Sequence, residues 1–413
     1  MTKRCLLVLT RDIPDDAAAG RERTMSQIRC ILGSAAELRE LRLKSITEHR
    51  GIAPWLAAAS KWLSSLLSLR PLPLQVVLFH DRTAIEQLLV LIDTFKPDVV
   101  YFDGIRTALA LQAAHAHAGH ASRIVCDLDD LISRRMKLLS QMKLGISAGY
   151  LKRFIPPWFQ RHVLDGPISR MVTAYEATML QRLEIGVLRD SDCAVLVSDV
   201  DAVDLKRHAK SDSGKIMIIP PSVKQCRSMI APALPLRFIF IGSETLTQNR
   251  LTIDWLIDVW QKYSPEVPLH LFGKIASRDN LPRNVVVEGF VDSLDEVYTA
   301  SSILLAPSFL AGGIKTKILE AFSYGTIAIG NQLSFEGLGI DPRSLEMSEQ
   351  RLIAFVQNPS LSLEELVSAS RTVQADIFKR FAPDRIEKLW LSAAFANSVG
   401  ADGGDNFRSR ELI

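Results

Sequence analysis

The sequence predicts an α/β protein of two open, parallel sheets, each covered by helices. Three observations carry this. Short apolar runs of strand length alternate with helical periods along most of the chain, the pattern of parallel sheets built by crossovers. The alternation comes in two series, and Pro220-Pro221, which cannot continue a central strand, stands between them. The second series contains PSFLAGGIKTKILEAFSYGTIAIGN (307–331), which reads as strand end, Gly-rich turn, helix and strand. At 413 residues the chain has the length of two domains. They are read as 1–222 and 223–398, with the final helices free to pack back on the first domain, and a polar, disordered tail at 399–413.

In the first series CLLVLT (5–10) is a buried strand, with a helix near Thr24–Leu32. A Rossmann dinucleotide site needs Gly-x-Gly-x-x-Gly directly after that strand, and its absence argues against a dehydrogenase. PWLAAASKWLSSLLSL (54–69) is amphipathic, with Trp55, Trp62 and Leu66 broadly on one side. VVLF (76–79), DVVYFDG (98–104), RIVCDLDD (123–130), CAVLVSD (193–199) and KIMIIPPS (215–222) read as further strands. Residues 134–162 mix Arg134, Arg135, Lys137, Lys143, Lys152, Arg153 and Arg161 with Met, Leu, Phe and Trp, and hold almost no acid. Basic and aromatic residues so interleaved suit an anionic membrane surface. A long helix follows, with Ile168, Met171, Tyr175, Met179 and Leu183 at helical spacing. The second series runs LRFIFIGS (236–243), a helix at Leu251–Tyr263, LHLFG (269–273), VVVEGF (285–290), ILLAPS (303–308) and TIAIG (326–330). Two helices, at about 362–378 and 384–397, close it.

Composition excludes several classes. Hydrophobic residues at 47% and charged residues at 23% describe a soluble globular protein. A net charge of +3 gives no global reason to expect nucleic acid. The five cysteines are scattered without metal-ligand spacing, which suggests reduced thiols in a cytosol. The apolar run at the start is too short for a signal peptide, and no window is long and apolar enough to span a membrane.

The Gly-rich turn is the first candidate site. Gly312 and Gly313 leave backbone N–H groups open to a phosphate, the helix N-terminus favours negative charge, and Lys315 adds a full positive charge. Lys317 falls near 200° around the helix from Lys315 and is expected to matter less. Glu320, about 7.5 Å further along the axis, is too far to serve the phosphate but within reach of a ribose. The competing reading is an ordinary crossover whose glycines only permit tight packing. The second candidate is DLDDLIS (127–133). Asp127, Asp130 and Ser133 recur at a spacing of three just past a strand's carboxyl end, where open α/β sheets place their sites. Asp127 or Asp130 there can bind a hydroxyl or act as a general base, or simply cap the helix opening beside Leu131. Asp129 reads as solvated or structural. His115, His117 and His120 read as surface residues, because their spacing does not suit a helical metal site.

Two such domains, with a phosphate-binding helix in the second, resemble the GT-B glycosyltransferases, and in detail glycosyltransferase family 4. The resemblance rests on the Gly20-x-x-Arg23 loop, DLDDLIS, YEATMLQRLE (175–184), VLVSDVD (195–201), IIPPSV (218–223), FIGS (240–243), VEGFVDSLDEVYTASSILLAPS (287–308), GGIKTKILEAFSYG and SFEGL. It covers roughly residues 5–390. It implies a retaining, metal-independent hexosyltransferase that uses a UDP- or GDP-sugar as co-substrate, with no cofactor. Gly312, Gly313, Ile314 and Lys315 would bind the diphosphate and Glu320 the ribose. Gly242 and Ser243 would line the phosphate side of the cleft, and Gly273, Phe290 and Val291 would border the base. Gly20 and Arg23 would lie on the acceptor side, with Asp127 and Asp130 as catalytic acids. The family usually carries Glu-x7-Glu; Glu320 matches the second acid, and Gly312 replaces the first. Asp127-Leu128-Asp129 also spells the Asp-x-Asp metal motif of the other large glycosyltransferase fold, which binds its nucleotide in its first half. The implied partners are a nucleotide sugar and a saccharide or lipid-linked acceptor. The implied place is the cytoplasm, peripheral to the inner face of the membrane, in bacterial cell-surface or exopolysaccharide synthesis. The alternatives are a GT-B-like epimerase or hydrolase, or a catalytically silent carbohydrate- or partner-binding protein.

Overall fold

The computed structural model describes residues 2–13, 20–117, 122–142, 167–209 and 212–395. The tail and most of the basic stretch, from Lys143 through Arg161, lie outside the described residues, as does His120.

The first sheet contains β1 (Lys3–Leu9), β2 (Ala36–Arg42), β3 (Val99–Asp103), β4 (Arg123–Asp129), β5 (Cys193–Leu196) and β6 (Ile216–Ile218). All pairings are parallel, in the order β2-β1-β3-β4-β5-β6. β3 and β5 are buried along their whole length, which is why they read as unbroken apolar runs. β2 escaped the sequence reading. AELRELR is a half-exposed edge strand, and charge on an edge replaces the apolar signal. VVLF is not a strand: Leu74–Val77 forms one short helix behind Pro73, with Val76 and Val77 turned into two neighbouring clusters.

The second sheet contains β7 (Arg237–Ile241), β8 (Leu269–Phe272), β9 (Val285–Gly289), β10 (Ser302–Leu305) and β11 (Ile327–Ile329), in the order β11-β10-β7-β8-β9. It too is parallel throughout, and its five strands are the five expected. Strand order reverses between β1 and β3 in the first sheet and between β7 and β10 in the second. Open parallel sheets hold their ligands in the crevices beyond the carboxyl ends at such reversals. The two sheets therefore face each other with a crevice apiece.

The helix Pro383–Phe395 returns to the first sheet. Trp390 meets Tyr101 edge-on at 5.9 Å, and Arg123 Nε donates to the Ala393 carbonyl at 2.8 Å. Ile386, Trp390, Ala393 and Ala394 are buried with Cys5, Leu7, Tyr101 and Val125 in one cluster.

Candidate active site

The crevice of the second sheet is built from the turns after β7 and β10. Gly312 (φ +107°) and Gly313 (φ +63°) occupy backbone conformations that side chains resist. They hold the chain away from the helix, which begins only at Thr316 with Lys315 as its N-cap residue. Lys315 therefore precedes the helix in a non-helical conformation, and the separation of near 200° that set Lys317 aside does not apply. Lys315 Nζ donates to the Gly312 carbonyl at 2.8 Å. Lys317 Nζ donates to Asn249 Oδ1 at 2.9 Å and lies 3.9 Å from the centre of the Phe240 ring. Burial, with Arg135 adding repulsion, pulls the Lys315 pKa down to about 8 against Asp130, Glu336 and Asp201. Burial pulls Lys317 down to about 7, Glu320 opposing and Lys315 reinforcing. Two ammonium groups of depressed pKa thus line one crevice. Each gains charge when an anion arrives.

Glu320 is buried, and its Oε1 lies 3.0 Å from Arg23 Nη2. Burial raises its pKa, with Arg23 and Lys317 opposing. Arg23 was expected on the acceptor side and instead crosses the cleft to the second sheet's acid. Gly20 opens the helix Gly20–Ala35 at φ +65° with nothing against its Cβ position. Gly242 and Gly273 are packing requirements. A Cβ on Gly273 would stand 2.4 Å from the Gly242 carbonyl oxygen, and one on Gly242 would stand 2.7 Å from Asn249 Nδ2. Asn249 Nδ2 in turn donates to the Ser243 carbonyl at 3.0 Å, so Asn249 ties the β7 turn to Lys317. Ile314 and Val291 pack against the second core, while Phe290 stands exposed.

The crevice of the first sheet is a shallow recess of about 60 Å³ lined by Thr10, Arg11, Arg21, Arg106, Asp129 and Asp130 among others. It is smaller than the ~300–1,000 Å³ of a closed ligand cleft, an open polar floor and not an enclosed pocket. Asp127, expected to meet an acceptor hydroxyl, is fully buried beneath it. Its Oδ2 accepts from Tyr101 Oη at 2.6 Å and Arg21 Nη2 at 2.7 Å, and its Oδ1 accepts from the Asp129 N–H at 3.1 Å. Asp127 fixes Arg21 and the strand end. Arg21 also meets Asp103 at 2.9 Å and Asp129 at 3.3 Å. Burial works against ionisation of Asp103, but Arg21 and Arg11 outweigh it and hold its pKa below the usual value. Asp129 sits at φ +64° beside a register shift in β4, with 40% of its side chain exposed. Burial pushes its pKa up to about 7, Arg21 opposing and Asp130, Asp127 and Asp103 reinforcing. The nearby carboxylates are the cause that survives when water fills the recess. Neither Asp127 nor Asp130 caps the helix Ile132–Gln141, whose N-cap Leu131 accepts no side-chain bond. Ser133 turns away, donating through its N–H (3.1 Å) and Oγ (2.5 Å) to Glu184.

Asp130 is the carboxylate where the two crevices meet. It pairs with Arg135, and a Cβ on Gly313 would lie 3.3 Å from its Oδ2. Beside it the Gly313 N–H donates across the cleft to Asp201 Oδ2 at 3.2 Å. Arg134 completes the seam, 3.4 Å from Asp201 and paired with Glu336. Arg134 and Arg135, expected to face a membrane, are therefore cleft residues. Sequence reasoning missed Arg21, Asn249, Asp201 and Glu336. The only signal for the last two was their place within the quoted SDVD and SFEGL stretches. Among the described residues no His, Cys, Asp or Glu cluster is placed to hold a metal ion.

Residues 235–341 match the family model described as glycosyl transferases group 1. Solved structures extend the likeness to nearly the whole chain. Sucrose-phosphate synthase from Thermosynechococcus elongatus is 14% identical with a TM-score of 0.60, covering 94% of this chain and 96% of that one. HepE from Anabaena in complex with UDP-glucose is 12% identical with a TM-score of 0.57, covering 94% and 98%. The lipopolysaccharide outer core galactosyltransferase WaaB in its apo form is 14% identical with a TM-score of 0.56, again covering 94% and 98%. The architecture is GT-B. At these identities the likeness is one of fold. No curated protein matches the chain by sequence.

Proposed function

We propose that the protein is a glycosyltransferase that moves a hexosyl group from a UDP- or GDP-sugar to a saccharide or lipid-linked acceptor in bacterial cell-surface synthesis. One observation carries this reading: two lysines of depressed pKa, a strained Gly-rich turn and a buried glutamate converge at the strand-order reversal of the second sheet. The turn's N–H groups, Lys315 and Lys317 take the diphosphate, and Glu320 takes the ribose once Arg23 releases it. Asn249 positions Lys317, and Phe290 and Val291 border the base. HepE holds UDP-glucose in its crystal, which favours UDP here.

The recess of the first sheet takes the acceptor. Its alternating arginines and aspartates offer the paired donors and acceptors that sugar hydroxyls need. Asp130, at the junction, accepts a hydrogen bond from an acceptor hydroxyl beside the attacking one, and Asp127 acts through Arg21 as a positioning residue. The acceptor oxygen bonds to the anomeric carbon on the same face from which the diphosphate oxygen departs. The electron pair leaves on the nucleoside diphosphate, whose departing oxygen takes the attacking hydroxyl's proton, and this front-face exchange retains configuration. Lys315, Lys317 and the turn stabilise that departing charge without a divalent ion, the kind of preorganised electrostatics that dominates catalysis. Calorimetric titration with UDP and with GDP tests the donor site, and product analysis with and without acceptor separates transfer from hydrolysis or epimerisation. Failure to bind either nucleotide overturns the reading.

A further inference from the structure

The helix Ala53–Leu67 carries an apolar face that the fold does not use. Ile52, Leu56, Leu63, Leu67 and Leu69 are each 53–88% exposed, a concentration within 18 residues. At roughly 100° per residue, Leu56, Leu63 and Leu67 fall on one narrow stripe, and buried Ala58 and Ser65 lie opposite. Of Trp55, Trp62 and Leu66, grouped by the sequence on one side, Trp55 is exposed and the other two turn inward. Trp62 Nε1 donates to Tyr175 Oη at 3.0 Å, and Leu66 is half-buried. Single exposed leucines need no explanation, but a contiguous stripe marks a contact.

The charge around the stripe says what it contacts. Between Glu48 and Asp81 the sequence holds no acid, while Arg50 and Arg70 flank the helix at its two ends. We propose that this face seats the protein on an anionic membrane surface, with the leucine stripe in the acyl boundary and the two flanking arginines at the headgroups. Among the described residues no helix is long and apolar enough to cross a membrane, so this one lies in the interface. The helix packs on Leu74–Val77, which packs on Ile105–Thr107, and Ile105 and Arg106 line the recess of the first sheet. The recess therefore opens close to the bilayer, where a lipid-linked saccharide is held. The surface stands independently; only the identity of what enters the recess rests on the glycosyltransferase reading.

Co-sedimentation of the full chain with mixed phosphatidylglycerol–phosphatidylcholine vesicles, and with phosphatidylcholine alone, tests this. Binding is expected to the mixed vesicles, weakening as salt rises through the screening range. Leu56→Gln, Leu63→Gln and Leu67→Gln together are expected to lower partitioning at least about tenfold while thermal midpoint and UDP titration stay unchanged. Arg50→Gln and Arg70→Gln together are expected to lower it several-fold at low salt. Wild type that fails to pellet with anionic vesicles at low salt overturns the proposal, as does a leucine variant that pellets undiminished. Sedimentation equilibrium showing a dimer abolished by the leucine changes, without vesicle binding, assigns the face to a second copy and also overturns it. Vesicle binding without binding of UDP or GDP leaves this surface standing and removes the donor reading.

Discussion

Lys317→Met removes an ammonium group and keeps a side chain of similar reach over Phe240. In the free protein that ammonium has a pKa of about 7 and its neighbour Lys315 one of about 8. A diphosphate restores both toward ordinary lysine values, because opposite charge close by favours the charged form. Above pH 7 binding must therefore take up a proton at Lys317, weakening about tenfold, or ~1.4 kcal/mol, per pH unit. Above pH 8 Lys315 adds a second proton and the slope doubles. From pH 7 to 9 the loss approaches ~4 kcal/mol in wild type. Folding has the opposite slope. Lys317 is depressed in the folded chain, so the unfolded chain binds more protons between about 7 and the ordinary value of 10.5, and stability rises with pH across that window. Lys317→Met is expected to weaken UDP binding at pH 7 by ~1.5–3 kcal/mol, the scale of a charged hydrogen bond. It is also expected to flatten the binding slope between pH 7 and 8 and to raise stability below pH 7. Calorimetry and thermal melts across pH 6 to 9 read all three. A variant that binds UDP like wild type with the same pH slope refutes the reasoning.

Glu320→Gln is expected to weaken UDP binding while leaving pyrophosphate binding intact, because the proposed partner of this acid is ribose; equal losses for both ligands would place it on the diphosphate. Gly313→Ala, forced to φ +63° against Asp130, is expected to cost ~1–2 kcal/mol in a denaturant melt; no loss would mean the turn relaxes freely. Asp130→Asn is expected to cut turnover ~100-fold with UDP affinity unchanged. Asp127→Asn is expected to act mainly on stability, by ~1–3 kcal/mol, because its oxygens hold Arg21 and Tyr101; the reverse pattern would exchange the two roles. Transfer activity is expected to survive EDTA, and activity lost to EDTA and restored by magnesium or manganese would transfer the charge-stabilising role to a metal.

The sheets were legible because their strands are buried on both faces, and such strands announce themselves as apolar runs. β2 was not, since its charge hides it, and Val76-Val77 misled because two valines behind a proline satisfy a helix as well as a strand. The Gly-rich turn was readable from Gly312, Gly313 and Lys315. What the local sequence lacked was any account of the facing surface. Arg23 looked like an acceptor-side residue until it met Glu320, some 300 positions away. Lys317 looked misdirected because its angle was taken from a helix that starts at Thr316. Asp127 and Asp130 are three residues apart and look equivalent, yet a buried tyrosine hydroxyl and an arginine engage one while the other faces glycines from the opposite sheet. Spacing cannot distinguish them, and both are buried; their partners do.

The returning helix Pro383–Phe395 has a consequence for how the chain acquires its shape. One wall of the first sheet's core is Ile386, Trp390, Ala393 and Ala394, and the bond from Arg123 to Ala393 closes a separation of 270 residues. A fragment ending near residue 222 would present Tyr101 and its neighbours to water, so the two sequence series are not two independent folding units. During synthesis the first sheet can gather its strands and most of its helices early, but the last helix of its cover arrives only after the entire second sheet has been made. Long-range closure of that kind slows folding and leaves an apolar face waiting. The second sheet's assembly is thereby a precondition for finishing the first.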